Sequence, residues 1–287
     1  MMLTNLGGGS KVGIELIGSL YPPVDSLFLF KLALTFLVGS LWLTGATILA
    51  ERFGSKIGGV IAGMPSTIVI ALFFIGWTQT PGAASQATVV VPLIMGIDGI
   101  FIITYAALVH RNFTLALLAS LVVWVCFSFV LVFFHFNNFG LSVIGFLGLL
   151  VLSYGIMEYV LRVKSLAGRT TSLSFSNILM RGLISGGIIT LSVAFARLGG
   201  PLVGGVFASF PAVFLSTMIL TYFAQGSTFS VSVMKPLLLS GTINTTVYAS
   251  AVRLFYPLFG LIGGTICSFL LSLISMYIVF LLVKKIA

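Results

Sequence analysis

Three stretches of this chain, Ile57 to Ile97, Asn112 to Met157 and Leu254 to Val283, contain no Asp, Glu, Lys or Arg. Each is longer than the ~20 residues that cross a hydrocarbon core, so the chain is expected to cross a bilayer repeatedly. The apolar runs and their Gly, Pro and basic interruptions predict spans near 26–50, 55–78, 84–109, 113–134, 139–161, 175–196, 201–224, 229–251 and 256–283. The expected fold class is therefore an all-α integral membrane protein of about nine transmembrane helices. A tenth crossing would have to come from the N-terminal tail or the last apolar stretch. At 1.5 Å per residue that stretch reads as one long tilted helix, or a helix with a re-entrant piece.

Composition agrees with this pattern. Charged residues make up 7% of the chain and apolar residues 59%, against about 25% charged in soluble domains. A net charge of +9 suits nucleic-acid binding, but the basic residues are scattered singly at helix ends and form no basic face, so nucleic acid is not the expected partner. They set topology instead. Arg52, Lys56, Arg111, Arg162, Lys164, Arg169, Lys284 and Lys285 fall on one side of the predicted spans, and Lys11, Lys31, Arg197 and Arg253 on the other. The positive-inside rule makes the first side cytoplasmic, with the N-terminus outside and the C-terminus inside. No cleaved signal pattern is visible at the start, and Cys126 and Cys267 lie in apolar runs where packing is their expected role.

The sequence also resembles itself. Arg52-Phe-Gly followed by Gly58-Gly59-Val60-x-Ala62-x-x-Pro65 returns as Arg197-Leu-Gly followed by Gly204-Gly205-Val206-x-Ala208-x-x-Pro211. Pro92-Leu93 and Tyr105-Ala106, running to Arg111, return as Pro236-Leu237 and Tyr248-Ala249, running to Arg253, and Cys126 has a counterpart in Cys267. Matches in one order at nearly constant separation imply duplication. Spans one to four would pair with spans six to nine, and the single helix between them would turn the second copy upside down, as in inverted-repeat transporters. The expected divisions are a tail (1–25), a first repeat (26–136), a linker helix with a basic cytoplasmic loop (137–170) and a second repeat (171–287).

The repeating unit, with Gly-Gly-x-x-Ala-x-x-Pro opening its second span and Tyr-Ala leading to a terminal Arg in its third, resembles the small GlpM-like family of four-helix membrane proteins. The resemblance implies a fused, two-copy version of a protein that could otherwise pair antiparallel with itself.

Candidate chemistry is sparse. Pro65 and Pro211 remove a backbone donor at equivalent places, which predicts helix breaks near mid-membrane and freed carbonyls near residues 61 and 207. Asp98, between Gly96 and Gly99, is the only carboxylate deep in a span, where an ionised group costs several kcal/mol unless it faces a cavity or a partner. Ser66, Thr67, Ser209, Asn244 and Thr245 offer neutral hydrogen-bonding groups at similar depth. Lys31, Arg181 and Lys235 are expected to snorkel, with Arg181 or Lys235 alternatively meeting an anionic substrate. Glu51 and Glu158 are expected to pair beside Arg52 and Arg162, and Tyr105 and Tyr248 to sit at the membrane interface.

No metal-ligand spacing, nucleotide-binding loop or paired-carboxylate cluster is present, so neither cofactor nor metal is expected, and no enzyme activity. The leading expectation is a secondary transporter for a small neutral, amphipathic or lipid-like solute. Its alternatives are a non-transporting scaffold and a channel along the pseudo-twofold axis; the sequence leaves the oligomeric state open.

Overall fold

The structure, a computed structural model, describes residues 25–52, 63–164 and 174–286. The tail, the first Gly-Gly-x-x-Ala motif and most of the basic loop, Arg169 included, lie outside the described residues, as do the side chains of Glu51, Arg52, Lys284 and Lys285. The described residues are almost entirely helical, with no strand. In order they form α1 (Ser26–Arg52), α2 (Ser66–Thr78), α3 (Pro81–Ala87), α4 (Val91–Leu108), α5 (Phe113–Phe133), α6 (Phe139–Gly155) with a terminal π-turn (Ile156–Val160), α7 (Phe175–Ala208) and α8 (Ala212–Ile286).

Neither α7 nor α8 is straight. Gly200 bends α7, with φ 83° and ψ 174°, and Gly226 and Gly260 bend α8, with φ 82° and 67°. That conformation is open essentially to glycine alone. The corners divide α8 into arms 212–225, 227–259 and 261–286. The last corner falls later than the 252–255 expected from hydropathy, because the second arm continues through Pro257. Pro257 cannot donate to the Arg253 carbonyl, and the Ser85 hydroxyl donates to it instead, at 3.2 Å.

Small residues let the helices approach. Gly182 and Gly186 of α7 face Ser40 and Thr44 of α1 with no room for a Cβ, and Gly39 meets Gly186 in the same seam. These contacts run α1 antiparallel to α7. The second arm of α8 likewise runs antiparallel to α4, since Tyr105 meets Ser230, Gly99 approaches Leu238, and Ser85, ahead of α4, meets Arg253. Parallel to α4 lies α6, with Ser142 accepting from the Leu93 amide (2.9 Å) and Gly96 and Gly99 packed on Leu149 and Ser153. The glycines flanking Asp98 are thus seats for α6.

Outward faces are apolar. Leu115, Leu118, Val122, Val125 and Phe129 of α5 are each more than half exposed, in a stripe that no aqueous surface would carry. Several helices are long and apolar enough to cross a membrane, consistent with a multi-pass membrane protein. At one end, Arg197 pairs with Asp25 (3.7 Å) and lies over Phe28, Lys31 donates to the Trp77 carbonyl (3.2 Å), and Arg253 lies over Phe139. The other end gathers His110, Arg162 and Lys164.

Candidate functional site

Both prolines sit in the same kind of turn immediately before a helix. At the first break the Ser66 amide donates to the Met64 carbonyl across Pro65, and at the second the Ala212 amide donates to the Phe210 carbonyl across Pro211, each at 2.7 Å. These are tight three-residue turns, and Pro65 has φ −75° and ψ 47°, close to an inverse γ-turn. Helix begins at Ser66 and at Ala212, so two helix N-termini open at the breaks.

The breaks meet. Pro65, Ser66 and Thr67 from one, and Ser209, Phe210 and Pro211 from the other, line a single cavity of about 50 Å³ together with Asp98 and Thr245. A water needs roughly 10–15 Å³, so the space admits a few waters or a bare ion. Seven of the eight site residues expected from the sequence therefore share one wall-to-wall environment. Asn244, the eighth, does not line it. It is fully buried, its Nδ2 donates to the Gly63 carbonyl (2.9 Å), and its Oδ1 accepts from Ser275 (2.9 Å).

Of the two carbonyls expected to be freed, the one at residue 207 is paired. The Phe207 carbonyl accepts from the Phe210 amide (3.1 Å), and residue 61 lies outside the described residues. Gly63 carries the carbonyl that Asn244 satisfies from another helix. The same Gly63 sits against Ser240, where a Cβ would lie 3.0 Å from the serine Cβ. Asn244 is a clamp on the first break, holding it against the second arm of α8.

Asp98 has no exposed surface. Its Oδ1 accepts from the Trp124 indole N–H at 2.8 Å, and its Oδ2 has no hydrogen-bond partner among the described residues. A buried carboxyl oxygen without a donor is costly in a static protein, and this carboxyl lines the cavity. Ser66 and Ala212 begin helices there, and helix N-termini present positive potential to whatever occupies the space. Trp124 also packs edge-on against Phe210, with ring centroids 5.1 Å apart, joining the acid to the second break. Nothing in the sequence pattern marks either aromatic.

The remaining candidates lie elsewhere. Lys235 ion-pairs with Glu158, donates to the Val163 carbonyl (3.1 Å) and lies near the Tyr154 ring. Glu158 therefore pairs across to the second arm of α8 and not with its neighbour Arg162. Glu158 sits on the π-turn. Arg181 reaches Thr217 at 3.4 Å. Tyr105 and Tyr248 are fully buried, contrary to an interfacial placement: Tyr105 faces inward and shares a hydrogen bond of 2.8 Å with Ser230, which also accepts from Thr221. No cluster of three metal-binding side chains occurs among the described residues.

The family described as Protein of unknown function (DUF3147) matches residues 32–137. The match spans α1 to α5 and ends at the turn before α6. No curated protein and no solved structure matches the chain.

Proposed function

We propose that this chain is a secondary transporter of two inverted four-helix repeats, moving a small neutral, amphipathic or lipid-like solute by alternating access around the Pro65–Pro211 cavity. The observation that carries the reading is the convergence of two proline turns, each opening a helix, and a buried, half-satisfied carboxyl on one small cavity. Discontinuous helices whose ends meet at a midplane site are the recurrent architecture of such carriers. Support for inversion comes from the antiparallel contacts of α1 with α7 and of α4 with the second arm of α8, the elements that duplication would make equivalent. In this reading the corners at Gly200, Gly226 and Gly260 separate four crossings, the chain crosses nine times in all, and the unit is the GlpM-like one in duplicate.

The cavity's size bears on mechanism. It is too small for a lipid-like cargo, so the two breaks must part to admit one, and the space shown accommodates only a coupling ion or water beside Asp98. Reconstituted protein should give saturable, substrate-dependent flux in proteoliposomes with counterflow. Flux without saturation would indicate a channel, and no flux with any neutral or amphipathic solute would leave a scaffold.

Topology follows from the same scheme. With Cys126 and Cys267 replaced, a cysteine introduced as Lys285→Cys should resist membrane-impermeant reagent in intact cells and react after lysis. Labelling from outside would reverse the orientation, and with it the assignment of the cytoplasmic face.

A further inference from the structure

A second cavity, of about 330 Å³, opens at the end of the bundle where α4 stops, lined by His110, Arg162, Val163, Lys164 and Thr228. It is several times the volume of the central cavity and within the ~300–1,000 Å³ range of small-ligand pockets. Among the described residues no carboxylate lines it, and Glu158, on the π-turn that leads to it, is already neutralised by Lys235.

The segment carrying its two permanent cations is pinned in place. The Val163 amide donates to the Met157 carbonyl (2.9 Å), and the Val163 carbonyl accepts from Lys235 (3.1 Å). Arg162 and Lys164, on either side of the anchored Val163, both line the pocket. Arg162 holds a left-handed backbone, φ 49°, which is uncommon for a residue with a side chain and persists where surroundings enforce it. Opposite, the His110 ring is hydrogen-bonded to the Ser227 hydroxyl at 3.1 Å, beside the Thr228 hydroxyl.

We propose that this pocket binds a phosphate group. Its donors come from two segments: a guanidinium fork and an ammonium from 162–164, and an imidazole and the Thr228 hydroxyl from the helices packed beside it. A carboxylate, with two coplanar oxygens, is satisfied by one fork; a tetrahedral phosphate with three or more acceptor oxygens uses all of them. Two full positive charges with no described carboxylate in the lining match the charge of about −1.5 to −2 on a phosphate monoester at pH 7. Such a group reaches the pocket either as an anionic lipid headgroup, since basic pockets between transmembrane helices hold these, or as a soluble phosphate.

Native mass spectrometry and thermal melting of the full-length protein in detergent, titrated with phosphatidic acid, phosphatidylcholine or inorganic phosphate, test this. Phosphatidic acid should bind and raise the melting temperature while phosphatidylcholine does not. Displacement by inorganic phosphate would assign a soluble source, and resistance to it a lipid source; either supports the site. Arg162→Gln with Lys164→Gln should weaken binding about tenfold or more, from the loss of two charge-assisted contacts. Arg111→Gln, a basic change outside the pocket lining, should leave binding intact. If the double variant does not fold, the exposed Lys164→Gln alone should still weaken binding severalfold. Equal losses in Arg111→Gln and the pocket variants would mean diffuse surface attraction and overturn the proposal, as would failure of both phosphatidic acid and inorganic phosphate to bind.

Discussion

Asp98→Asn is expected to abolish pH-driven accumulation in proteoliposomes while preserving solute exchange. Asparagine keeps a side-chain oxygen in the place of Oδ1, so the 2.8 Å bond from the Trp124 indole survives. What is lost is the oxygen that faces the cavity without a partner, and with it the capacity to take up and release a proton or a small cation. The protein should fold and bind its cargo but no longer couple. Asp98→Leu differs, because it strands the indole N–H inside the protein, a cost of about 1–3 kcal/mol. A fall in melting temperature for Leu but not Asn would separate the structural contribution from the coupling one. Unchanged pH dependence of uptake in Asp98→Asn would remove the acid from the mechanism and leave the site to the broken helices.

The second large effect is expected at Gly205, where an added Cβ would run into the Ala87 carbonyl oxygen. A carbonyl inside a packed bundle cannot rotate away as a side-chain tip can, so Gly205→Ala must push the 201–208 segment off α3. Overpacking of this kind costs about 1–3 kcal/mol. The displaced segment leads directly into Ser209 and Pro211, so cavity geometry and flux should fall together with the melting temperature. Gly187→Ala is the matched control, since nothing lies within 4 Å of its added methyl, and it should be neutral or gain up to about 1 kcal/mol from helix propensity. Equal melting temperatures for the two variants would show that the close approach at Gly205 is dispensable.

Much of this arrangement is legible in the amino-acid sequence, for a physical reason. A bilayer admits helices and little else, so apolar length alone predicts most helix boundaries, and in so charge-poor a sequence the paired prolines and one deep acid stand out. Pro65, Pro211 and Asp98 are visible because each breaks a rule its surroundings obey. Trp124 and Phe210 obey those rules. Among 26 phenylalanines and three tryptophans nothing local marks the pair that seals the acid against the second break. Asn244 is visible as a polar group but not as a clamp, since its partner Gly63 is 181 residues away. Glu158 pairs by sequence with its neighbour Arg162, and its actual partner, Lys235, is far away along the chain. Lys235 comes from another helix, and the glutamate that meets it sits on the π-turn. The tyrosines mislead because a Tyr near a helix end is commonly interfacial, whereas Ser230, a buried hydroxyl across the bundle, gives Tyr105 an inward partner.

The single-residue corners at Gly200, Gly226 and Gly260 limit how the second half can move. Successive Cα atoms are about 3.8 Å apart, and one helical turn is about 5.4 Å. Two rods joined through one glycine therefore cannot slide past each other by even a turn without unwinding their own ends. They can swing about that point as about a pin. Sliding of one arm along its neighbour is closed at these three corners, so relative motion of the arms they join must be angular. Such motion should appear as large distance changes between probes at the far tips of adjacent arms and almost none between probes flanking a corner.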